Sequence, residues 1–182
     1  MKTDLAFKIN QSSAARKSRV YMSNFIIRHE NLLNEFIEIC FDTQNENHVK
    51  AFWSLELVCE KKLKLFIPYI DSFCELLPKL KEDSAVRPAT KICMFLAKSN
   101  HRKNGITLNQ EQEHNIIEAV IDRLIQDEKV ATKVYAMKAL FVLGKKYNWV
   151  HEELKNIMTQ EYSNHSAAYQ TSARNLLKKL NK

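Results

Sequence analysis

Apolar residues recur along the chain with the three- and four-residue spacing of amphipathic α-helices, and short polar segments separate one apolar stretch from the next. These stretches fall into four pairs, and each pair predicts a helical hairpin. The pairs are residues 32–41 with 49–58, 65–80 with 86–97, 116–125 with 134–144, and 154–158 with 167–180. The pattern therefore predicts an all-α fold.

The second helices of these hairpins start alike, with a small or β-branched apolar residue three positions after an acidic or amide residue. The pairs are Glu46 and Val49, Asp83 and Val86, Asp127 and Val130, and Asn164 and Ala167. The apolar anchors are 37, 44 and 37 residues apart, and a predicted loop at residues 99–110 lengthens the middle interval. Such a period is typical of helical repeats, whose stacked hairpins share a core. We therefore expect an α-α superhelix of about four hairpins.

Composition agrees with helices and with a globular chain. Two glycines and three prolines leave few residues for turns and sheet edges, and 45% of the residues are hydrophobic while 27% are charged. No apolar run approaches the roughly 18 residues of a membrane span. The apolar run near the start is too short for a signal peptide. We expect a cytoplasmic protein that does not associate with membranes.

Cysteine and histidine spacing gives no metal or cofactor signature. Cys40, Cys59, Cys74 and Cys93 are 19, 15 and 19 residues apart, with no C-x-x-C motif, and each lies in an apolar helical stripe. The six histidines are scattered and form no zinc-binding pattern. We predict buried thiols that act as small hydrophobic side chains, and we expect no metal, no cofactor and no catalytic residue.

One stretch resembles a known repeat family. Residues 83–87, Asp-Ser-Ala-Val-Arg, are similar to the D-x-x-V-R signature of HEAT repeats, although the other three units lack the arginine. The resemblance covers about residues 30–182 and implies a single HEAT-like (armadillo-type) helical repeat domain. Residues 1–29 are basic, and we interpret residues 12–27 as a helix capped by Ser12 or Ser13. That segment is either a helical cap on the array or a mobile basic arm.

A second resemblance concerns short bacterial proteins that commonly carry an adenylosuccinate lyase label. The lyase family has a much longer chain and a loop with the pattern S-S-x-M-P-x-K-x-N-P, and this sequence contains no such loop. Lyase activity is therefore only the third functional alternative.

The net charge of +7 is unevenly distributed, and residues 62–108 carry nine basic and four acidic residues. In HEAT-like arrays the second helices line the concave face, so the resemblance implies a basic partner-binding surface centred on Arg87 and Lys91. The candidate residues are Lys50, Arg87, Lys91, Lys98, Lys138 and Lys145. The alternative is a solvated face, because lysines at the ends of these helices favourably oppose the helix dipole.

Glu56 is the one carboxylate on an otherwise apolar helix. A buried carboxylate is costly without a partner, and Arg87 or Lys91 on the neighbouring second helix could supply one. We interpret Glu56 and Arg87 as a structural ion pair.

These observations favour a non-catalytic binding scaffold that takes a protein partner through its concave face. The alternative is a nucleic-acid-binding protein similar to the HEAT-like alkylpurine DNA glycosylases, supported by the positive charge. Those enzymes place an aspartate and aromatic residues in the concave cleft, and the sequence offers no acidic residue convincingly placed there.

Overall fold

The computed structural model describes residues 4–181, and every regular element in that range is a helix. The α-helices are α1 (Asp4–Asn10), α2 (Arg16–Arg28), α3 (Leu33–Phe41), α4 (His48–Lys62), α5 (Ile70–Leu76), α6 (Asp83–Asn100), α7 (Gln110–Ile125), α8 (Val130–Leu143), α9 (Asn148–Glu161) and α10 (Ala167–Leu180). Short 3₁₀ helices cover Glu30–Leu32, Leu63–Tyr69, Leu77–Lys79 and Tyr162–Asn164. The all-α prediction is confirmed, whereas the superhelical arrangement of the hairpins stays a prediction. Within the described range, no helix has the length and hydrophobicity needed to span a membrane.

The chain divides into two compact units, residues 1–92 and residues 93–182. In the first unit, α4 packs against α2 and α3, and α1 packs against α3 and α4. Phe36, Phe52, Phe66 and Phe73 are almost completely buried there. The ring of Phe66 meets that of Phe73 edge-on at a centroid distance of 5.2 Å. This aromatic core joins the first two predicted hairpins.

In the second unit, α8 packs against α7, α9 and α10, and α9 also contacts α7 and α10. Ile116, Leu124, Met137, Leu140 and Leu154 are fully buried. These residues lie on the apolar stripes that the sequence predicted for the third and fourth hairpins. Helix α8 is therefore the central element of this unit.

The described helices match the predicted pairs except where proline intervenes. Residues 65–80 form a 3₁₀ helix, the short α5 and a further 3₁₀ turn instead of one continuous α-helix. Pro68 and Pro78 explain the difference, because proline lacks the backbone N–H and its ring crowds the preceding turn of an α-helix. The predicted loop is confirmed over residues 101–109, while residues 99 and 100 still belong to α6.

The predicted N-terminal helix is present as α2, but neither Ser12 nor Ser13 caps it, and α1 precedes it. The Ser12 hydroxyl donates to the carbonyl of Ile9 at the end of α1, and Ser13 donates its backbone N–H to the hydroxyl of Ser18. The N-cap of α2 is Ala15, which has no side-chain acceptor. Residues 1–3 and Lys182 of the predicted segments lie outside the described residues.

Three of the second helices begin without a side-chain capping bond. The N-cap residues of α4, α8 and α10 are Asn47, Lys129 and Ser166, and none of them makes a side-chain capping bond. Packing of the apolar stripes therefore matters more for these helix starts than local capping does.

All four cysteines are buried, which confirms the predicted burial of these thiols in the core. Burial raises the pKa of the Cys40 and Cys59 thiols well above their usual value. A thiol held in its neutral form is a poor nucleophile. These residues therefore contribute to packing.

Two polar side chains of the second unit, Lys133 and Tyr169, are buried. Lys133 is 2% exposed, and its Nζ donates to the carbonyl of Leu124 at 2.8 Å, near the C-terminal end of α7. Tyr169 is completely buried, and its ring stacks on His165 at a centroid distance of 4.1 Å. The Tyr169 hydroxyl has no hydrogen-bond partner among the described residues. Burial, helped by the charge of Glu161, raises the pKa of Tyr169 to about 12.

We predict that Tyr169→Phe stabilises the protein. The substitution keeps the buried ring and removes a hydroxyl that is desolvated without a partner, which should raise the free energy of unfolding by about 1 to 2 kcal/mol. Urea denaturation and thermal melting would measure the change. Tyr21→Phe, at a position 69% exposed, is the control and should leave stability unchanged. A lower melting temperature for Tyr169→Phe would contradict this interpretation.

Candidate functional site

Four exposed basic residues of the second unit, from three different segments, form a continuous patch. Lys98 lies near the end of α6, Arg102 lies in the following loop, Lys138 lies on α8 and Lys145 follows α8. Burial lowers the pKa of Lys98, and the nearby positive charges of Lys138 and Arg102 lower it further. No ion pair with a carboxylate involves any of the four within residues 4–181. The fold thus holds like charges close together without compensation.

The patch continues toward α10 around the ring of Phe141. The ammonium groups of Lys145 and Lys179 lie 5.8 and 5.9 Å from the Phe141 ring centroid, in cation–π geometry. Lys145 also donates to Nε2 of His101 at 3.2 Å. We call Lys98, Arg102, Lys138, Lys145 and Lys179 together the basic surface. Its chemistry suits an extended anionic partner.

The loop that carries Arg102 is held by hydrogen bonds to the end of α6. The hydroxyl of Ser99 accepts from the backbone N–H of Ile106 at 3.0 Å, and Asn100 Oδ1 accepts from the N–H of Leu108 at 2.9 Å. Gly105 packs so closely on Ser99 that an added Cβ would lie 1.6 Å from the Ser99 carbonyl oxygen. Any side chain at residue 105 would therefore displace the loop.

A capping box fixes the point where this loop enters α7. Asn109 Oδ1 accepts from the backbone N–H of Gln112, and the Gln112 side chain accepts from the backbone N–H of Asn109. Sequence reasoning missed this box, although the N-x-x-Q pattern before an apolar helix is its signature.

Glu113, at the start of α7, joins the loop to the turn between α8 and α9. Its carboxylate accepts hydrogen bonds from Lys146 and Tyr147, both at 2.5 Å, and from Asn100 at 2.7 Å. Burial alone would raise the pKa of Glu113, but the bonds from Lys146, Tyr147 and Asn100 bring it below its usual value. No local sequence pattern marks Glu113, because its partners are 13 to 34 positions away.

We predict that Glu113→Gln lowers the free energy of unfolding at pH 7 by about 2 kcal/mol, because the buried acceptor loses its charge. A carboxyl group whose pKa is lowered by folding stabilises the protein at pH values above the pKa that the group has in the unfolded chain, which is about 4. That contribution is lost as the pH falls through the lower, folded pKa. The difference between wild type and variant should therefore shrink between about pH 5 and pH 3.

Urea denaturation at several pH values would measure this difference. Glu111→Gln is the matched control, since Glu111 lies exposed in the same first turn of α7. A difference that stays constant down to pH 3 would show that the Glu113 charge does not carry the effect.

Three of the six predicted partner-binding residues, Lys98, Lys138 and Lys145, lie on the basic surface. Two of the others, Lys50 and Lys91, have partners inside the first unit. Lys50 donates to the backbone carbonyl of Asn10 at 2.5 Å and to its Oδ1 at 2.9 Å. It therefore caps the C-terminal end of α1, where a cation is favourable.

Lys91 pairs with Glu56, which corrects the predicted pair of Glu56 with Arg87. Lys91 Nζ lies 2.7 Å from Glu56 Oε1 and 3.8 Å from Glu60 Oε1. Among the described residues, Arg87 and Glu56 form no ion pair. The buried carboxylate thus has the alternative partner that the sequence analysis named.

The register of α4 and α6 explains the choice of Lys91. Trp53 Nε1 donates to the carbonyl of Ser84 at 3.1 Å, so residue 53 of α4 lies level with the start of α6. Glu56 is one turn further along. Helical side chains lean toward the N-terminus of their own helix, so the long side chain of Lys91 reaches back toward the level of Glu56.

We predict that Glu56→Gln lowers the free energy of unfolding by about 2 kcal/mol, because Lys91 loses a partner at a site where the Glu56 side chain is only 7% exposed. Glu60→Gln is the control, and its 43% exposure limits the loss to about 0.5 kcal/mol. Binding of an acidic polypeptide should change by less than about twofold in both variants. Unchanged melting of Glu56→Gln would contradict the structural role of this pair.

Comparison with known proteins adds no relative to this picture: no protein-family model matches the chain, and neither a curated protein nor a solved structure is found to be similar to it. The HEAT-like resemblance therefore rests on residues 83–87. Within residues 4–181, no three His, Cys, Asp or Glu side chains are grouped so that they could hold a metal ion. The basic surface is the candidate site that the geometry favours.

Proposed function

We propose that this protein is a non-catalytic helical scaffold that binds an acidic segment of a protein partner through the basic surface. One observation carries the proposal: Lys98, Arg102 and Lys138 come from three segments and hold their charges close together without a paired carboxylate among residues 4–181. Clustered like charges oppose folding, and an anionic partner removes that repulsion when it binds.

The surroundings of the surface support its use by a partner. The hydrogen bonds of Ser99, Asn100 and Glu113 fix the loop of Arg102 in place. A binding surface held rigid in advance loses less conformational entropy on association. The lysines themselves stay exposed, so their side chains can adapt to carboxylates at different positions along the partner.

A nucleic acid is the second candidate, because the same cluster of cations could neutralise phosphates. Binding to single strands without sequence preference usually adds aromatic rings on which bases stack. Phe141, the aromatic residue of the basic surface, is stacked on His151 at 5.6 Å and covered by Lys145 and Lys179. The stacked histidine and the two lysines use the faces of the ring, on which a base would have to stack, and this favours the protein partner.

We predict that the double variant Lys98→Glu with Lys138→Glu loses affinity for an acidic polypeptide by at least about tenfold, because two attractive contacts become repulsive. Poly-L-glutamate is the probe, with fluorescence anisotropy as the measurement at low and physiological salt. The matched control is Lys62→Glu with Lys64→Glu, which makes the same change of charge at exposed positions outside the surface.

Duplex and single-stranded DNA are titrated in parallel. The proposal expects tighter binding of the polypeptide than of either DNA at physiological salt. Tighter binding of DNA, with affinity that falls steeply with salt, would support the nucleic-acid alternative instead. If the Lys98/Lys138 and Lys62/Lys64 variants lost affinity for poly-L-glutamate equally, net charge alone would attract the probe. That result would overturn the assignment of the basic surface as the binding site.

A further inference from the structure

A polar pocket of about 460 Å³ lies in the first unit, far along the sequence from the basic surface. One wall is the turn between α3 and α4, and the other is the segment that leads from the 3₁₀ helix Leu77–Lys79 into α6. All six lining residues are polar or charged: Thr43, Gln44, His48, Lys79, Lys81 and Glu82. The volume lies within the range of small-ligand sites, and every lining residue carries a polar or charged group.

His48 gives this pocket a fixed and buried hydrogen-bonding group. The residue is 4% exposed, and its ring packs edge-on against Phe52 at a centroid distance of 5.1 Å. Its Nδ1 lies 2.5 Å from the carbonyl oxygen of Cys40. A carbonyl oxygen only accepts, so Nδ1 carries the proton and Nε2 of the neutral ring is left as an acceptor.

The neutral form of His48 is the favoured one. Burial lowers the pKa of His48, and this outweighs the opposite influence of the Cys40 carbonyl and of the Glu82 and Asp42 charges. The ring therefore offers an acceptor, and not a second donor, at neutral pH.

The charged groups at the mouth of the pocket are of two kinds. Lys79 and Lys81 are exposed and, among the described residues, have no ion-pair partner. They can supply charge-assisted hydrogen bonds to an anion. The Glu82 carboxylate repels a bare anion but accepts hydrogen bonds from hydroxyl groups. The Nε2 atom of His48 also accepts such hydrogen bonds. The pocket thus combines an anion-binding side with acceptors for neutral donors.

We propose that this pocket binds a small phosphorylated polyol, such as a sugar phosphate. Lys79 and Lys81 hold the phosphate group, while His48 Nε2 and the Glu82 carboxylate accept hydrogen bonds from the hydroxyl groups. The Thr43 hydroxyl and the Gln44 amide complete the polar lining. This site is independent of the basic surface and of its protein partner.

Titration of the full chain with glucose 6-phosphate, followed by NMR, tests the proposal. The His48 ring resonances and the backbone amides of residues 43, 44 and 79–82 should shift together and saturate. Inorganic phosphate and glucose are the comparison probes. Each should bind at least about tenfold more weakly than glucose 6-phosphate, because each engages only one side of the pocket.

The double variant Lys79→Ala with Lys81→Ala should weaken binding of glucose 6-phosphate by at least about tenfold. Lys62→Ala with Lys64→Ala is the matched control and should bind like the wild type. Glu82→Ala alters an exposed side chain, so folding should survive. It should lower the ratio of glucose 6-phosphate affinity to phosphate affinity, since it removes an acceptor for hydroxyl groups and a repulsion of the anion.

Three results would overturn the proposal. The first is the absence of saturable shifts at His48 with glucose 6-phosphate. The second is unchanged affinity in the Lys79/Lys81 variant. The third is phosphate binding as tight as that of glucose 6-phosphate, which would show an anion site without recognition of the polyol. None of these results bears on the basic surface, which the Lys98/Lys138 variants test separately.

Discussion

Each helix of this chain has an apolar stripe that it cannot bury by itself, and the whole structure depends on covering that stripe with a neighbouring helix. Isolated helices of this length are marginal in water, so tertiary packing stabilises them more than intrinsic propensity does. Helix α8 shows the constraint most clearly, since it packs against α7, α9 and α10. The exposed faces of the helices and the polar turns between them then carry the groups that remain available for binding.

Buried polar groups have a common task in this fold, which is to satisfy or fix helix ends. Lys50 bonds the last carbonyl of α1, and Lys133 bonds a carbonyl near the end of α7. Glu113 ties the start of α7 to the turn after α8. Charge on the second helices is therefore divided between internal contacts, which Lys50, Lys91 and Lys133 make, and the exposed lysines of the basic surface.

Helical periodicity predicted the helices well, because it depends on residues three and four positions apart. The loop at residues 101–109 followed from its polar composition, and the burial of Cys40 and Cys59 followed from the apolar stripes around them. The break at Pro68 was visible in the sequence but was not given its full weight. Helix α1 was missed, since its apolar stripe consists of little more than Leu5 and Ile9.

The candidate sites were predicted less well, because their contacts join residues that are distant along the chain. Periodicity identified Glu56 as an unusual residue but could not decide between Arg87 and Lys91, which depends on the register of two helices. It placed Lys50 on a binding surface, whereas the bond to Asn10 spans 40 positions. The pocket of His48 joins two turns that no sequence pattern connects.

The central claim is that the fold holds Lys98, Lys138 and Arg102 together for an anionic partner. Measurement of the Lys98 pKa by NMR, on the free protein and with an acidic polypeptide added, tests it most directly. We predict a pKa below the ordinary lysine value in the free protein, caused by burial and the two neighbouring cations, and a rise when the polypeptide binds. A Lys98 that titrates at the ordinary value, and that the polypeptide leaves unchanged, would contradict the account.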